Sequence, residues 1–223
     1  PILEFDTSKQ AVINPADCIK PVLVPEACVL CFFPEAIAAR VQSGAARRIF
    51  GLRSEMGERT VWRLDDERGP VTLFHPGVGA PYAALSLENM IALGCRVFVA
   101  CGGCGVLDGS LKSGMVLVPE SAVRDEGTSY HYLPPSREVA ADMRGLALAT
   151  AILERRGVPH LRVKTWTTDA VYRETPGKVA ARKAEGCLAV EMETAAFFAV
   201  ARFRGAPFAQ LLYAGDDVSG REW

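Results

Sequence analysis

The feature that most constrains this chain is a series of short, largely apolar runs. They fall at residues 28–33, 96–101, 115–119, 161–166, 187–192 and 206–214. Each is of strand length, and apart from Leu161-Arg-Val-Lys164 they read as continuous runs rather than strict alternations of apolar and polar. A strand exposed on one face would alternate, so continuous runs predict strands covered on both faces. The stretches between them read as helices. One starts at Pro34, a natural first-turn residue. Pro81 to Leu93 places Ala84, Leu87 and Ile91 on one face and stops at Gly94. Arg137 to Arg156 reads as the longest helix, ended by Gly157. Pro176 to Glu185 and Thr194 to Arg204 follow, the last stopped by Gly205. Residues 60–64 and 70–74 flank Asp-Asp-Glu-Arg-Gly, a hairpin-like connection. Strands alternating with helices predict a three-layer α/β domain.

With 223 residues and no repeat, low-complexity tract or linker, the chain reads as one domain over residues 1–223. Lys plus Arg is 25 and Asp plus Glu is 26, so there is no basic excess of the kind a nucleic-acid partner calls for. No apolar run reaches membrane-spanning length. The seven cysteines are odd in number, and several lie inside apolar runs, which fits a reducing cytoplasm. Two C-x-x-C spacings occur, Cys28 to Cys31 and Cys101 to Cys104. Residues three apart on a strand point to opposite faces, so Cys28 and Cys31 could not share a metal, and none is expected.

Ligands of α/β sheets bind beyond strand ends, so the residues there are the candidates. After 96–101 comes Gly102-Gly103-Cys104-Gly105, read as a turn whose N–H groups form an anion-binding nest or as a plain tight turn. After 161–166 comes the polar Thr167-Thr168-Asp169-Ala-Val171-Tyr172-Arg173. Glu191 and Glu193 sit where a strand gives way to a helix, a place that favours carboxylates and could present them to sugar hydroxyls. Gly215-Asp216-Asp217 follows the last strand; adjacent acids can raise one another's pKa, which suits a general acid. His75, His131 and His160 are scattered and read as structural.

Together these segments resemble the nucleoside phosphorylase superfamily, which holds uridine phosphorylases, hexameric purine nucleoside phosphorylases and nucleosidases. Gly77-Val-Gly-Ala-Pro-Tyr through Gly94 is similar to its "G-I-G-x-P-S…L-G". Val190-Glu-Met-Glu-Thr-Ala-Ala196 is similar to its "E-M-E-x-A", and Gly215-Asp216 to its Ser-Asp. The resemblance implies an α/β/α fold on a central mixed, mostly parallel sheet. It implies a homo-oligomer (dimer, trimer of dimers or hexamer) and cleavage of an N-ribosidic bond without a cofactor, with inorganic phosphate as co-substrate. Met192 and Glu193 would hold the ribose, with Glu191 nearby. Asp216 would protonate the leaving base, and Val171 and Tyr172 would line it. Gly102, Gly103 and Arg53 would face the phosphate.

The nucleophile side departs from the family's pattern. Its Gly-Asp-Pro-x-Arg loop reads Phe32-Phe33-Pro34-Glu35-Ala36 here, and its strand arginine and turn Ser or Thr read Ala100 and Gly103. A charge-assisted hydrogen bond to phosphate is worth roughly 1.5–3 kcal/mol, so these replacements should weaken phosphate substantially. Arg53 aligns loosely with the arginine that one subunit lends its neighbour; Arg47 and Arg48 are other candidates. Phosphorolysis is the expectation. A hydrolytic nucleosidase and a nucleoside-binding relative without phosphorolytic activity are the alternatives. Family members continue past the Asp motif into a closing helix, so a longer natural chain is expected, with a lid following Trp223.

Overall fold

A computed structural model of the protein describes residues 1–55 and 57–220. The chain end at 221–223, and with it the expected lid, lies outside the described residues. Strand β1 (Ala27–Cys31) shows why the fold has three layers. Its Cys28 and Leu30 belong to the core built with helices α3 (Ala80–Leu93) and α6 (Thr194–Arg204). Its Cys31 packs with Ile37 of α2 (Pro34–Gln42) on the other face. Alternate residues of one buried strand thus serve two helical layers, which is why the run is apolar throughout. A short first helix, α1 (Pro15–Cys18), precedes it.

Parallel pairing joins β1 to β4 (Gly69–Phe74) and to β5 (Val97–Val106). Beyond β4, an antiparallel wing is made by β3 (Gly57–Asp66) and β2 (Ala46–Ser54). On the other edge of β5 lies β10 (Phe208–Asp217), parallel to it, then β6 (Val116–Asp125), β8 (His160–Thr168) and β9 (Cys187–Glu191). β9 returns to β5 at Gly105 and Val106, on the stretch past the pairing with β1. Strands β5, β10, β6, β8 and β9 therefore close into a ring, and the wing β1–β4–β3–β2 hangs from β5. The sheet is mixed, with helices on both sides.

The core centres on α6, which is apolar almost all round and correspondingly buried. Phe197 and Phe198 meet Phe208 of β10 with ring centroids 5.0 and 6.1 Å apart. Burying one such ring is worth about 1.5–3 kcal/mol. No helix among the described residues is long and apolar enough to cross a membrane.

Two local expectations are corrected. The helix read over 137–156 is shorter. Glu138–Ala140 forms β7, paired to β6, with Val139 buried between exposed neighbours. Helix α4 starts at Met143, where Asp142 accepts the Gly145 N–H at 2.9 Å and caps it. The Gly102–Gly105 run is no turn. It is the extended middle of β5, with none of the positive φ angles an anion nest requires. Aromatic rings explain these glycines. A Cβ on Gly102 would lie 3.1 Å from the Phe32 ring, and one on Gly103 2.7 Å from that of Tyr213.

Close backbone approach explains Gly145 as well, since a Cβ there would sit 2.1 Å from the Phe208 carbonyl oxygen. Helix α5 (Pro176–Ala184) carries Gly177 with open space around it. Alanine is the better helix former by about 1 kcal/mol. Gly177→Ala is expected to raise urea-unfolding stability by up to about 1 kcal/mol. Gly145→Ala should lower it by about 2 kcal/mol in spite of the same propensity gain. Equal effects from the two substitutions would contradict the α4–β10 contact.

Candidate active site

The C-terminal ends of β1 and β4, the glycines of β5 and the end of β9 converge on one place. There the chain must turn from β9 into α6 with its helix N–H groups buried. Glu191 solves this. Its Oε2 accepts the N–H groups of Glu193 (2.7 Å) and Thr194 (2.6 Å). Its Oε1 accepts the hydroxyls of Thr167 (2.7 Å) and Thr165 (3.3 Å). Thr167 in turn accepts the N–H of Ala195 at 2.9 Å. Burial pushes the Glu191 carboxyl's pKa up, and these donors oppose the shift. All its acceptor directions are thus taken by protein groups, and it fastens α6 to β8.

Glu193 is differently placed. It is the residue immediately before α6 and is buried, with 7% of its surface exposed. Its Oε1 accepts the N–H of Gly79 at 2.7 Å, and the Met192 N–H also favours its charged form. Gly79 is in turn the residue that opens α3. Two helix N-termini therefore meet at one carboxylate, where their dipoles favour negative charge. Desolvation, and next the charge of Glu191, still push its pKa up to about 7. The Gly77–Gly79 turn that delivers the N–H has φ of +81° and +94° at its two glycines. A Cβ on Gly77 would overlap the Tyr82 ring.

Glu193 and Met192 lie at this convergence. Asp216 follows on β10, just beyond the β5–β10 stretch that carries Tyr213 opposite Gly103. It and Asp217 are both exposed. Asp217 is held below the usual carboxylate range by hydrogen bonds from Ser219, whose N–H lies at 2.8 Å. Val171 and Tyr172 form a 3-10 turn shortly after β8, with Tyr172 97% exposed. Arg53 stands at the β2–β3 hairpin tip, largely exposed. Its Nε is 3.3 Å from Glu58, which also binds Arg48 at 2.6 Å.

Two residues of the region were missed as functional candidates. His75 directly follows β4, so the strand-end rule applied to residues 70–74 would have pointed to it. Its Nδ1 accepts the Gly77 N–H at 3.1 Å, and its ring meets Phe32 edge-on with centroids 6.1 Å apart. Burial, then the charge of Arg59, pull its pKa down. Arg59 of β3 lies with its guanidinium carbon 4.1 Å from the Tyr82 ring centroid and 4.9 Å from that of Phe74. Both residues line a cavity of about 520 Å³ between α2 and the β3–β4 pair, walled by Pro34, Ile37, Trp62 and Phe74. Nothing in the spacing of residues 57–66 singles out Arg59. The described residues hold no cluster of three or more His, Cys, Asp or Glu that could bind a metal.

Comparison with known proteins matches residues 26–222 to the phosphorylase superfamily. A guanosine phosphorylase from Halorubrum lacusprofundi is 30% identical over 135 residues, 60% of this chain and 56% of that protein. The uridine phosphorylase of Escherichia coli is 28% identical over 163 residues, 66% of this chain and 64% of that one. The matches thus span less than two thirds of these relatives' lengths. Among solved structures, a uridine phosphorylase from Vibrio fischeri superposes with a TM-score of 0.76 at 24% identity, covering 86% of this chain and 80% of that one. A purine nucleoside phosphorylase from Toxoplasma gondii, solved with immucillin-H, gives 0.75 at 22% identity, covering 87% and 78%. With the family matched across nearly the whole chain and the same fold recurring in these structures, this protein belongs to the phosphorylase superfamily.

Proposed function

We propose that this chain cleaves the N-ribosidic bond of a nucleoside by phosphorolysis, releasing free base and ribose 1-phosphate. The observation that carries this reading is Glu193: a buried carboxylate fixed by the Gly79 N–H and, unlike Glu191, not saturated by protein donors among the described residues. Cleavage of this bond develops positive charge on the ribose, as in glycoside hydrolysis. A preorganised carboxylate beside the sugar accepts its hydroxyl protons and stabilises that charge. Met192 packs on the sugar in this reading. Glu191 serves the ribose indirectly, by holding the backbone of Glu193 in place. Asp216 gives its proton to the departing base, and Val171 and Tyr172 flank that base once it is bound. The named activities of the guanosine and uridine phosphorylase relatives support the reaction class.

A nucleoside panel assayed with and without phosphate tests the reading. Phosphate-dependent appearance of ribose 1-phosphate is expected. Phosphate-independent release of free ribose would replace it with hydrolysis. Glu193→Gln is expected to lower kcat by about 10²-fold or more. Asp216→Asn should slow purine nucleosides more than pyrimidine nucleosides, and equal slowing of both would remove the proton-donor role.

The pKa of Glu193 gives a pH prediction with a definite sign. The ionised form is the active one, and its pKa is raised to about 7. The kcat/KM for nucleoside should therefore fall on the acid side of about pH 7. Because the protonated form is favoured in the folded protein, ionisation costs stability as pH rises from the ordinary carboxylate range through 7. The Tm of Glu193→Gln relative to the parent should accordingly improve between pH 5 and pH 8. An acid limb centred near 4.5 and a pH-independent Tm difference would contradict this assignment.

A further inference from the structure

Shielded cations need compensation, and most shielded arginines of this chain have it. Arg204 pairs with Glu88 at 2.8 Å, Arg182 with Glu185 at 3.1 Å and Arg63 with Asp65 at 2.8 Å. Arg124 is surrounded by the Ser129 and Ser136 hydroxyls and the carbonyls of Leu133 and Pro134. Arg59 has no carboxylate among the described residues. Its Nη1 donates to the Ser86 hydroxyl at 2.8 Å and, at 3.4 Å, to the Pro76 carbonyl. Its buried Nε has no partner, and its Nη2 makes no hydrogen bond among the described residues. The Tyr82 and Phe74 rings fix the plane of this half-satisfied guanidinium.

His75 completes the pair. Its Nδ1 accepts the Gly77 N–H, so the neutral ring carries its proton on Nε2 and presents a donor. A ring in that tautomer has no free lone pair with which to deprotonate water. The two residues thus offer donors only, at a cavity whose apolar walls strengthen any charge-assisted bond made there. The cavity also adjoins the ribose side. His75 is four residues before Gly79, which binds Glu193, and its ring touches Phe32, which covers Gly102. Phe32 to Ala36, the segment in place of the family's phosphate loop, carries no cation.

We propose that Arg59 and His75 hold the oxyanion nucleophile, inorganic phosphate, at the end of this cavity nearest Gly77–Gly79. The assignment rests on the phosphorolytic reading above and supplies the donors that the loop lacks. Arg59 Nη2 and His75 Nε2 donate to two phosphate oxygens, leaving a third to approach the anomeric carbon while Glu193 holds the sugar.

The test uses inorganic phosphate alone as the probe, titrated calorimetrically into the parent, Arg59→Gln, Arg59→Lys and His75→Asn. The KM for phosphate and for nucleoside is measured in parallel. Arg59→Gln is expected to weaken phosphate about tenfold or more, and His75→Asn several-fold, with the nucleoside KM within about twofold. Arg59 also fills space between two rings, so Tm is recorded for each variant. Arg59→Lys keeps the charge and much of the stem and should retain part of the phosphate affinity. Phosphate binding that is undetectable in the parent, or unchanged in folded Arg59→Gln and His75→Asn, overturns the assignment. Phosphorolysis with an unchanged phosphate KM in these variants would remove this site and leave the phosphorolytic reading standing. Phosphate binding abolished in the variants, in a parent that cleaves no nucleoside, would keep the site and remove that reading.

Discussion

The carboxylate of Glu191 is the joint on which the site depends. Four donors from one strand and a helix terminus converge on it, and it has no acceptor direction to spare. A buried acid of this kind is tolerable only when fully hydrogen-bonded. Its satisfaction fixes the first turn of α6, and with it the backbone of Glu193. The next acid along the chain is thereby left with fewer protein donors among the described residues. Two glutamates two residues apart thus have different tasks because one is saturated by protein and the other is not. Their mutual repulsion contributes to the raised pKa of Glu193.

Much of this was legible in the sequence because it rested on pattern. The apolar runs at 28–33, 96–101 and 187–192 gave the buried strands, and the Glu-Met-Glu motif gave the acidic turn. What was not legible came from contacts distant in sequence. The Gly102–Gly105 run looks like a turn because glycine is common in turns. It is a strand because Phe32 and Tyr213, from elsewhere in the chain, fill the space of its missing side chains. The start of α4 was misplaced because Val139 is as acceptable to a helix as to the edge pairing with β6 that claims it.

The distinction between Glu191 and Glu193 was equally invisible. It depends on Thr165 and Thr167, more than twenty residues away. Arg59 is the extreme case. In the sequence it is one of many arginines on a charged hairpin. Only the tertiary arrangement shows that its neighbours Arg53 and Arg63 have carboxylates and that, among the described residues, it has none. The unmet donors of one residue carry more information here than any motif on the nucleophile side.

The way β5 changes partners along its length has a mechanical consequence. Five strands close into a ring with no free edge, whereas β1, β4, β3 and β2 form a wing that ends on an unpaired strand. Glu193 is anchored to the ring, through Glu191 and β8. Arg59 and His75 ride on the wing. The two groups of residues thus sit on a closed and an open-edged part of the sheet, joined along β5 and bridged by the Gly77–Gly79 turn that binds Glu193. Local opening begins where edges are free and contacts few. In the proposed reading, local opening of the wing would displace Arg59 and His75 more than Glu193, so the spacing of the phosphate and ribose sides depends on how the wing is held on β5.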